Sequence, residues 1–242
     1  MKNENIFIRD FYNEFSKTLN SNGYNYRMLN ILKWLVKFGV EPHYNALEVG
    51  CGPGHSTFNF VQLIKTGKIV GVDISSENIK TAKELHKGNP NVEFIVSDMT
   101  DFTHNLKFDV ILLPDVLEHI LIAQHHQLFK ILRSVLKDRG KIIVHIPDPE
   151  YLEYIHVNRK DELQVTDQPL HTDIISSSLK GTGLRITYLE SYSLEEIKND
   201  YQVLCIEPND LPYNYVKKPW DMSLKSKIRR KMDKLKGRKS LY

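Results

Sequence analysis

The residues able to do chemistry gather where short apolar runs end. Ala46-Leu47-Glu48-Val49 reads as a buried strand that passes straight into Gly50-Cys51-Gly52-Pro53-Gly54. Glycines there let the backbone turn sharply and approach a ligand more closely than a Cβ would allow. The spacing is Gly-x-Gly-x-Gly, not the Gly-x-Gly-x-x-Gly that cradles a dinucleotide pyrophosphate, which favours a ligand without phosphates. Asp73 closes Val70-Gly71-Val72-Asp73, about twenty residues past the glycines, where a carboxylate can accept hydrogen bonds from both hydroxyls of a ribose. Asp98 closes Phe94-Ile95-Val96-Ser97-Asp98 and is followed by Met99. Either acid alone could merely cap the next helix, but the glycine turn and both acids fall in register on one edge.

The next run ends in Leu113-Pro114-Asp115-Val116-Leu117-Glu118-His119, and His119 is the first candidate for a general base. Packing of the loop is the competing role for that residue. His145 and Asp148 end Val144-His145-Ile146-Pro147-Asp148 at the same mouth, so Asp115 and His145 join the catalytic candidates. Asp115 and Asp148 could share a divalent cation, but no third ligand stands at a recognisable spacing, and no metal is expected. Residues 149–172 form an insertion rich in aromatic, amide and imidazole groups, with Tyr154 and His171 as candidate acceptor contacts. Insertions after a strand often wall a site; a packed surface excursion fits equally well. Tyr12, Tyr24, Tyr26 and Arg27 could close over the ligand, Arg27 toward a carboxylate, although aromatics at helical spacing also serve packing. His125-His126, at a helix start, reads as solvated.

These residues need elements to hold them. Residues 6–38 carry helical periodicity, with Phe7, Phe11 and Phe15 on one recurring face and Leu29, Leu32, Leu35 and Val36 on another. Strands are expected at 45–49, 68–72, 92–96, 109–113, 141–146, 184–192 and 201–207, and helices at 55–65, 76–86, 122–137 and 173–180. Alternation of this kind implies parallel strands joined by right-handed crossovers. The last two strands, with little helix between them, read as a hairpin. The expected fold is α/β: a Rossmann-like, doubly wound, seven-stranded and mostly parallel sheet, its last strand antiparallel, with an N-terminal helical cap. The expected divisions are a cap or lid over 1–40, the main domain over 41–210 and a basic tail over 211–242.

Composition bounds the partners. The 242 residues are 41% hydrophobic and 26% charged, ordinary for a globular protein with a core. No apolar run approaches the roughly 20 residues of a membrane span, and the N-terminus shows no signal-type apolar stretch, so export is not expected. Cys51 and Cys205 make neither a disulfide framework nor a zinc cluster, which fits the reducing cytoplasm. The net charge of +3 hides an asymmetry: residues 217–239 hold eleven Lys/Arg and two acids, leaving about −6 on the rest. An acidic body is poor material for a nucleic-acid groove. The tail itself, with Leu224, Ile228, Met232 and Leu235 at helical spacing, suits an anionic membrane surface or an acidic partner, RNA phosphates, or nothing but solvent.

Over residues 46–208 the chain resembles the class I S-adenosylmethionine-dependent methyltransferases. The likeness is carried by Glu48-Val49-Gly50-Cys51-Gly52-Pro53-Gly54 as the first motif and by Asp73 as the ribose acid, with Ile74 beside it. Asp98 stands as the adenine contact with Met99 packing the ring, and 108–120 resembles the fourth motif, with Pro114 near the cofactor. Leu136-Lys137-Asp138-Arg139-Gly140-Lys141 is similar to the family's leader–Gly–Gly stretch, Arg139 replacing the first glycine. The resemblance implies S-adenosylmethionine as methyl donor and S-adenosylhomocysteine as product, with the chain holding a nucleophile in line behind the activated methyl. Amino-methylating nucleic-acid enzymes often show Asn/Asp-Pro-Pro-aromatic after the fourth strand. Leu113-Pro114-Asp115-Val116 departs from that pattern. The expected acceptor is therefore an oxygen of a small molecule, a sugar or secondary metabolite. An RNA methyltransferase using the tail and a noncatalytic cofactor-binding scaffold are the alternatives.

Overall fold

The alternating runs fold into one seven-stranded sheet. The computed structural model describes residues 6, 9–11, 13, 25–164, 166–194 and 198–209; the readings on Phe7, Tyr12, Phe15, Tyr24 and the whole basic tail lie outside them. The strands are β1 (Ala46–Val49), β2 (Ile69–Asp73), β3 (Val92–Val96), β4 (Phe108–Pro114), β5 (Leu136–Pro147), β6 (Leu184–Tyr192) and β7 (Tyr201–Pro208). Their order is β3-β2-β1-β4-β5-β7-β6. The first five pair in parallel, and β7 runs antiparallel to both of its neighbours. The chain winds one way from β1 to β3 and the other way from β4 onward. A crevice therefore opens at the carboxyl ends of β1 and β4, where crossover connections leave on opposite faces.

Helices on the sheet include α1 (Tyr26–Lys37), α2 (Thr57–Leu63), α3 (Ser76–Leu85), α4 (Ile122–Val135), α5 (Pro149–Asn158) and α6 (Thr172–Ser178). Successive strand residues point to opposite faces. Leu47, Val70, Ile111, Val144 and Leu204 meet Phe129 and Leu132 of α4 and Ile175 of α6. Ala46, Ile69, Val110, Leu112 and Ile143 meet Ile31, Trp34 and Leu35 of α1 and Phe60 of α2. Every residue of β1 and β2 is buried, which is why these strands read as apolar runs broken only by Glu48 and the closing Asp73. Helix starts follow local chemistry: the side chains of Asn25, Ser75 and Asp148 accept the backbone N–H groups that open α1, α3 and α5, and Pro149 takes the first turn of α5.

The structure departs from the sequence reading in three places. Residues 136 and 137, read as the end of a helix, are already strand, as are 138–140: Leu136 pairs with Phe108, and the register slips before Lys141 meets Val110. Gly140 permits the slip, since a Cβ there would lie 2.6 Å from Leu136 Cδ1. The insertion after β5, read without secondary structure of its own, opens with α5. His125 is fully buried rather than solvated, its Nε2 donating to the carbonyls of Leu117 and Ile120. Among the described residues, no helix is long and apolar enough to cross a membrane.

Phe129 has no solvent exposure at the centre of the α4 face. Phe129→Ala is expected to cost about 3–5 kcal/mol, read as a lower urea midpoint at unchanged slope.

Candidate active site

Where β1 ends, a buried strand must turn beneath the loop that follows β4. Gly50 makes the turn at φ 72°, and a Cβ on it would stand 2.5 Å from Val116 Cγ2, so conformation and space both require glycine. The N–H groups of Gly50 and Cys51 both donate to the Val72 carbonyl, at 2.8 and 2.9 Å. The N–H of Gly52 donates to Asp73 Oδ2 at 2.8 Å. Asp73 Oδ1 accepts from the Ser75 N–H at 2.9 Å and from Asn78 Nδ2 at 3.2 Å. Burial raises the Asp73 pKa above the ordinary carboxylate value, against those three donors. Below the turn, Glu48 Oε2 accepts from the Thr57 hydroxyl at 2.5 Å, and burial pushes this carboxyl up to about 7. His86 Nε2 donates to the Gly54 carbonyl at 2.7 Å and is kept neutral by burial, which lowers its pKa. The turn is thus tied from three sides, while a Cβ placed on Gly52 would meet nothing within 4 Å. That face is open to a ligand.

Beyond the turn lies a cleft of about 780 Å³. Ile74, Val96, Asp98 and Met99 line it from the ends of β2 and β3, and Ile120 and Leu128 from the opposite side, with Arg9 at its rim. Asp98 is exposed, one oxygen accepting from the backbone and hydroxyl of Thr100. Apolar walls with a carboxylate at the edge fit an adenosyl group: flat ring inside, amino group at the acid. Of the sequence-predicted cofactor residues, Ile74, Asp98 and Met99 line this cleft, and Gly50, Gly52, Gly54 and Asp73 build the turn beside it. Glu48, Cys51 and Pro114 have buried side chains and do not line this cleft. Cys51 packs instead among Ile79, Ala82 and Phe94.

A second cluster forms at the ends of β4 and β5. Asp115 sits at φ 51°, and its N–H donates to the His145 carbonyl at 2.7 Å. Arg27 Nη1 approaches one of its oxygens at 3.3 Å, and His145 Nδ1 the other at 3.5 Å. Burial opposes the Asp115 charge, but Arg27 and His145 hold its pKa below the usual value. His145 is only 1% exposed; its Nε2 lies 2.6 Å from the Tyr192 hydroxyl, and the Tyr201 ring stacks on it at 4.9 Å. The structure therefore joins two of the catalytic candidates and adds Arg27, Tyr192 and Tyr201.

His119, expected as a general base, is held differently. Its Nδ1 lies 2.6 Å from the Thr166 carbonyl and 2.8 Å from Asp167 Oδ1, while Nε2 faces Glu118. Burial disfavours the charge, yet Glu118, Asp167 and the Thr166 carbonyl outweigh it and raise the pKa to about 9. With Nδ1 held by the Thr166 carbonyl and Asp167, His119 staples the β4 loop to the end of the insertion, and its raised pKa disfavours the role of general base. Gln168 reinforces it, its side-chain amide donating to the Glu118 and Ile120 carbonyls. Asp148 caps α5 and accepts from the Ser191 hydroxyl. Tyr154 (46% exposed) and Tyr26 (58%) stand on helix surfaces, and His171 pairs with Glu153 at 2.9 Å; none of the three lines the cleft. The sequence reading did not single out Val96, Ile120 and Leu128 as lining residues. It also missed Tyr192 and Tyr201, whose one signal is that each bounds a hairpin strand at the carboxyl edge.

The family model described as a methyltransferase domain matches residues 40–197. The chain is 36% identical over 104 residues to malonyl-[acyl-carrier protein] O-methyltransferase 1 of Ilyobacter polytropus, covering 43% of this chain and 38% of that protein. It is 31% identical over 126 residues to trans-aconitate 2-methyltransferase of Escherichia coli, covering 52% of this chain and 48% of the other. The matches thus span under half of either relative's length. Magnesium protoporphyrin IX methyltransferase of Synechocystis, solved with bound S-adenosylhomocysteine, shares the fold at TM-score 0.64 and 17% identity, over 84% of this chain and 98% of that one.

The raised His119 pKa has a definite sign. Its stabilisation is complete below the unfolded value near 6.5 and is lost as pH rises through about 9. A ring-nitrogen NMR titration is expected to show imidazolium at pH 8, and Asp167→Asn to move the midpoint down. A midpoint below 7 in the native chain would remove the staple.

Proposed function

The chain belongs to the methyltransferase-domain family, and on that footing we propose that it transfers a methyl group from S-adenosylmethionine to an oxygen of a small-molecule acceptor. The observation that carries this reading is the open glycine turn, clasped by Asp73, beside a cleft lined by Ile74, Asp98 and Met99. Ile74 and Met99 would pack the adenine, Asp98 would accept from its amino group, and the Asp73 carboxylate with the Gly52 backbone would meet the ribose. The donor supplies an activated methyl on a sulfonium. What remains for the protein is to exclude water and hold a nucleophile in line.

An oxygen acceptor is supported by the Asp115 and His145 cluster at the switch point, which can handle a hydroxyl proton, and by the relative from Ilyobacter, which is named an O-methyltransferase. The charge of about −6 outside residues 217–239 favours a small-molecule acceptor over RNA. Two buried, unpaired cysteines, Cys51 and Cys205, fit an enzyme of the reducing cytoplasm.

Radiolabelled methyl donor offered with pools of sugars, phenols, carboxylic acids, nucleotides and RNA is expected to label a hydroxyl-bearing pool; label in RNA alone would select the rival reading. Asp98→Ala is expected to weaken S-adenosylmethionine binding about tenfold or more in calorimetry, with the circular dichroism spectrum unchanged. Full affinity in that variant would overturn the cleft assignment.

A further inference from the structure

The cluster at the ends of β4, β5 and β6 has the parts of a proton path. Asp115 Oδ1 and His145 Nδ1 are both buried and both lack a hydrogen-bond partner, yet they face each other at 3.5 Å. Buried polar atoms are nearly always satisfied; here a small approach of the two groups would satisfy both. Asp115 also adopts φ 51°, an uncommon left-handed conformation for a non-glycine residue, and such conformations concentrate at functional sites. On the far side of the imidazole, Nε2 lies 2.6 Å from the hydroxyl of Tyr192, whose residue is only half-buried. The three groups therefore form a line from the buried Oδ1 of Asp115 through the imidazole to a half-buried phenol, whose ring packs against Trp34. Arg27 neutralises the outer oxygen of Asp115, and Tyr201 stacks on the imidazole, so the ring is held in one plane.

We propose that Asp115, His145 and Tyr192 form a proton relay in which Tyr192 meets the acceptor, and that the acceptor group is an alcohol or phenol rather than a carboxylate. The inference rests on the methyl-transfer reading given above. A carboxylate is already an anion and needs no proton removed, whereas a hydroxyl must lose one as its oxygen is alkylated. The acceptor oxygen gains a bond to the methyl carbon, the carbon–sulfur bond breaks, and its electron pair stays on sulfur. The acceptor proton passes to Tyr192 Oη while the Tyr192 proton passes to His145 Nε2. Asp115 carries the resulting imidazolium through Nδ1–H, and the proton then leaves to solvent. Tyr192 need never become a free phenolate, in keeping with the burial that raises its pKa. Asp115, kept anionic by Arg27 and His145, is the charge that stabilises the loaded state.

The relay fixes a tautomer. His145 must carry its proton on Nδ1, leaving Nε2 free to accept, and ¹⁵N NMR of the full chain at pH 7 is expected to show that form. Asp115→Asn is expected to shift the ring toward the Nε2–H form. An Nε2–H ring in the unaltered chain would overturn the proposal, because Tyr192 would then be an acceptor and could not pass its proton inward. In the labelled-donor assay with the hydroxyl-bearing pool, Tyr192→Phe is expected to lower kcat about 100-fold while KM and calorimetric S-adenosylmethionine affinity stay within about twofold. Unchanged kcat, or label in carboxylic acids alone, would also overturn it. Absence of transfer to every pool by the unaltered chain would instead strike the methyl-transfer reading, and the tautomer would still decide whether the relay exists.

Discussion

One hydrogen bond organises the site: the Gly52 N–H held by the Asp73 carboxylate. It joins the turn after β1 to the end of β2, two strands that touch along their whole length. Asp73 can hold the turn only because Ser75 and Asn78 occupy its other oxygen, and Ser75 in turn caps α3. Loss of the carboxylate would leave three donors without their acceptor in a region with little access to water, where each unmet group costs about 1–3 kcal/mol. Turn, strand end and helix start are therefore one unit.

Much of this was legible in the sequence. The strand–helix alternation, the reversed last strand and the crevice follow from residue types with strong local meaning: β-branched runs, glycines where the backbone must turn, acids where strands stop. Asp98 could be placed on the cleft because strand ends in a parallel sheet share an edge, whereas Ile74 and Met99 came from the family resemblance. Side-chain destinations were less legible. His119 looked like a base because nothing in a linear chain shows that Asp167, 48 residues further on, folds back onto it. His125 looked solvated because a helix start is usually exposed, yet α4 begins under the loop that supplies its two carbonyl acceptors. Tyr192 offered no motif, and its meaning arises only from the antiparallel β7 that sets β6 parallel to β5.

Charge is handled differently on the two sides of the crevice. Near the donor cleft the carboxylates are met by backbone donors and hydroxyls, and burial raises Glu48 and Asp73. Beyond β4, Asp115 is met by the Arg27 guanidinium and the His145 imidazole and Asp167 by His119, and both carboxylates are held low. The first arrangement suits a ligand read by shape and neutral hydrogen bonds. The second concentrates fixed charge where a proton has to be managed, in a low-dielectric setting that strengthens each pairing.

The staple at His119 has a consequence for divergence. Residues 159–171 return to the frame mainly through Thr166, Asp167 and Gln168, all landing on the short segment 118–122. A segment anchored at one such button can exchange its remaining residues without straining the sheet, and substitutions remote from that anchor should combine nearly additively. Descendants of this architecture could thus retool what they modify by rewriting a dozen surface positions, while the machinery for the common reagent stays as it is.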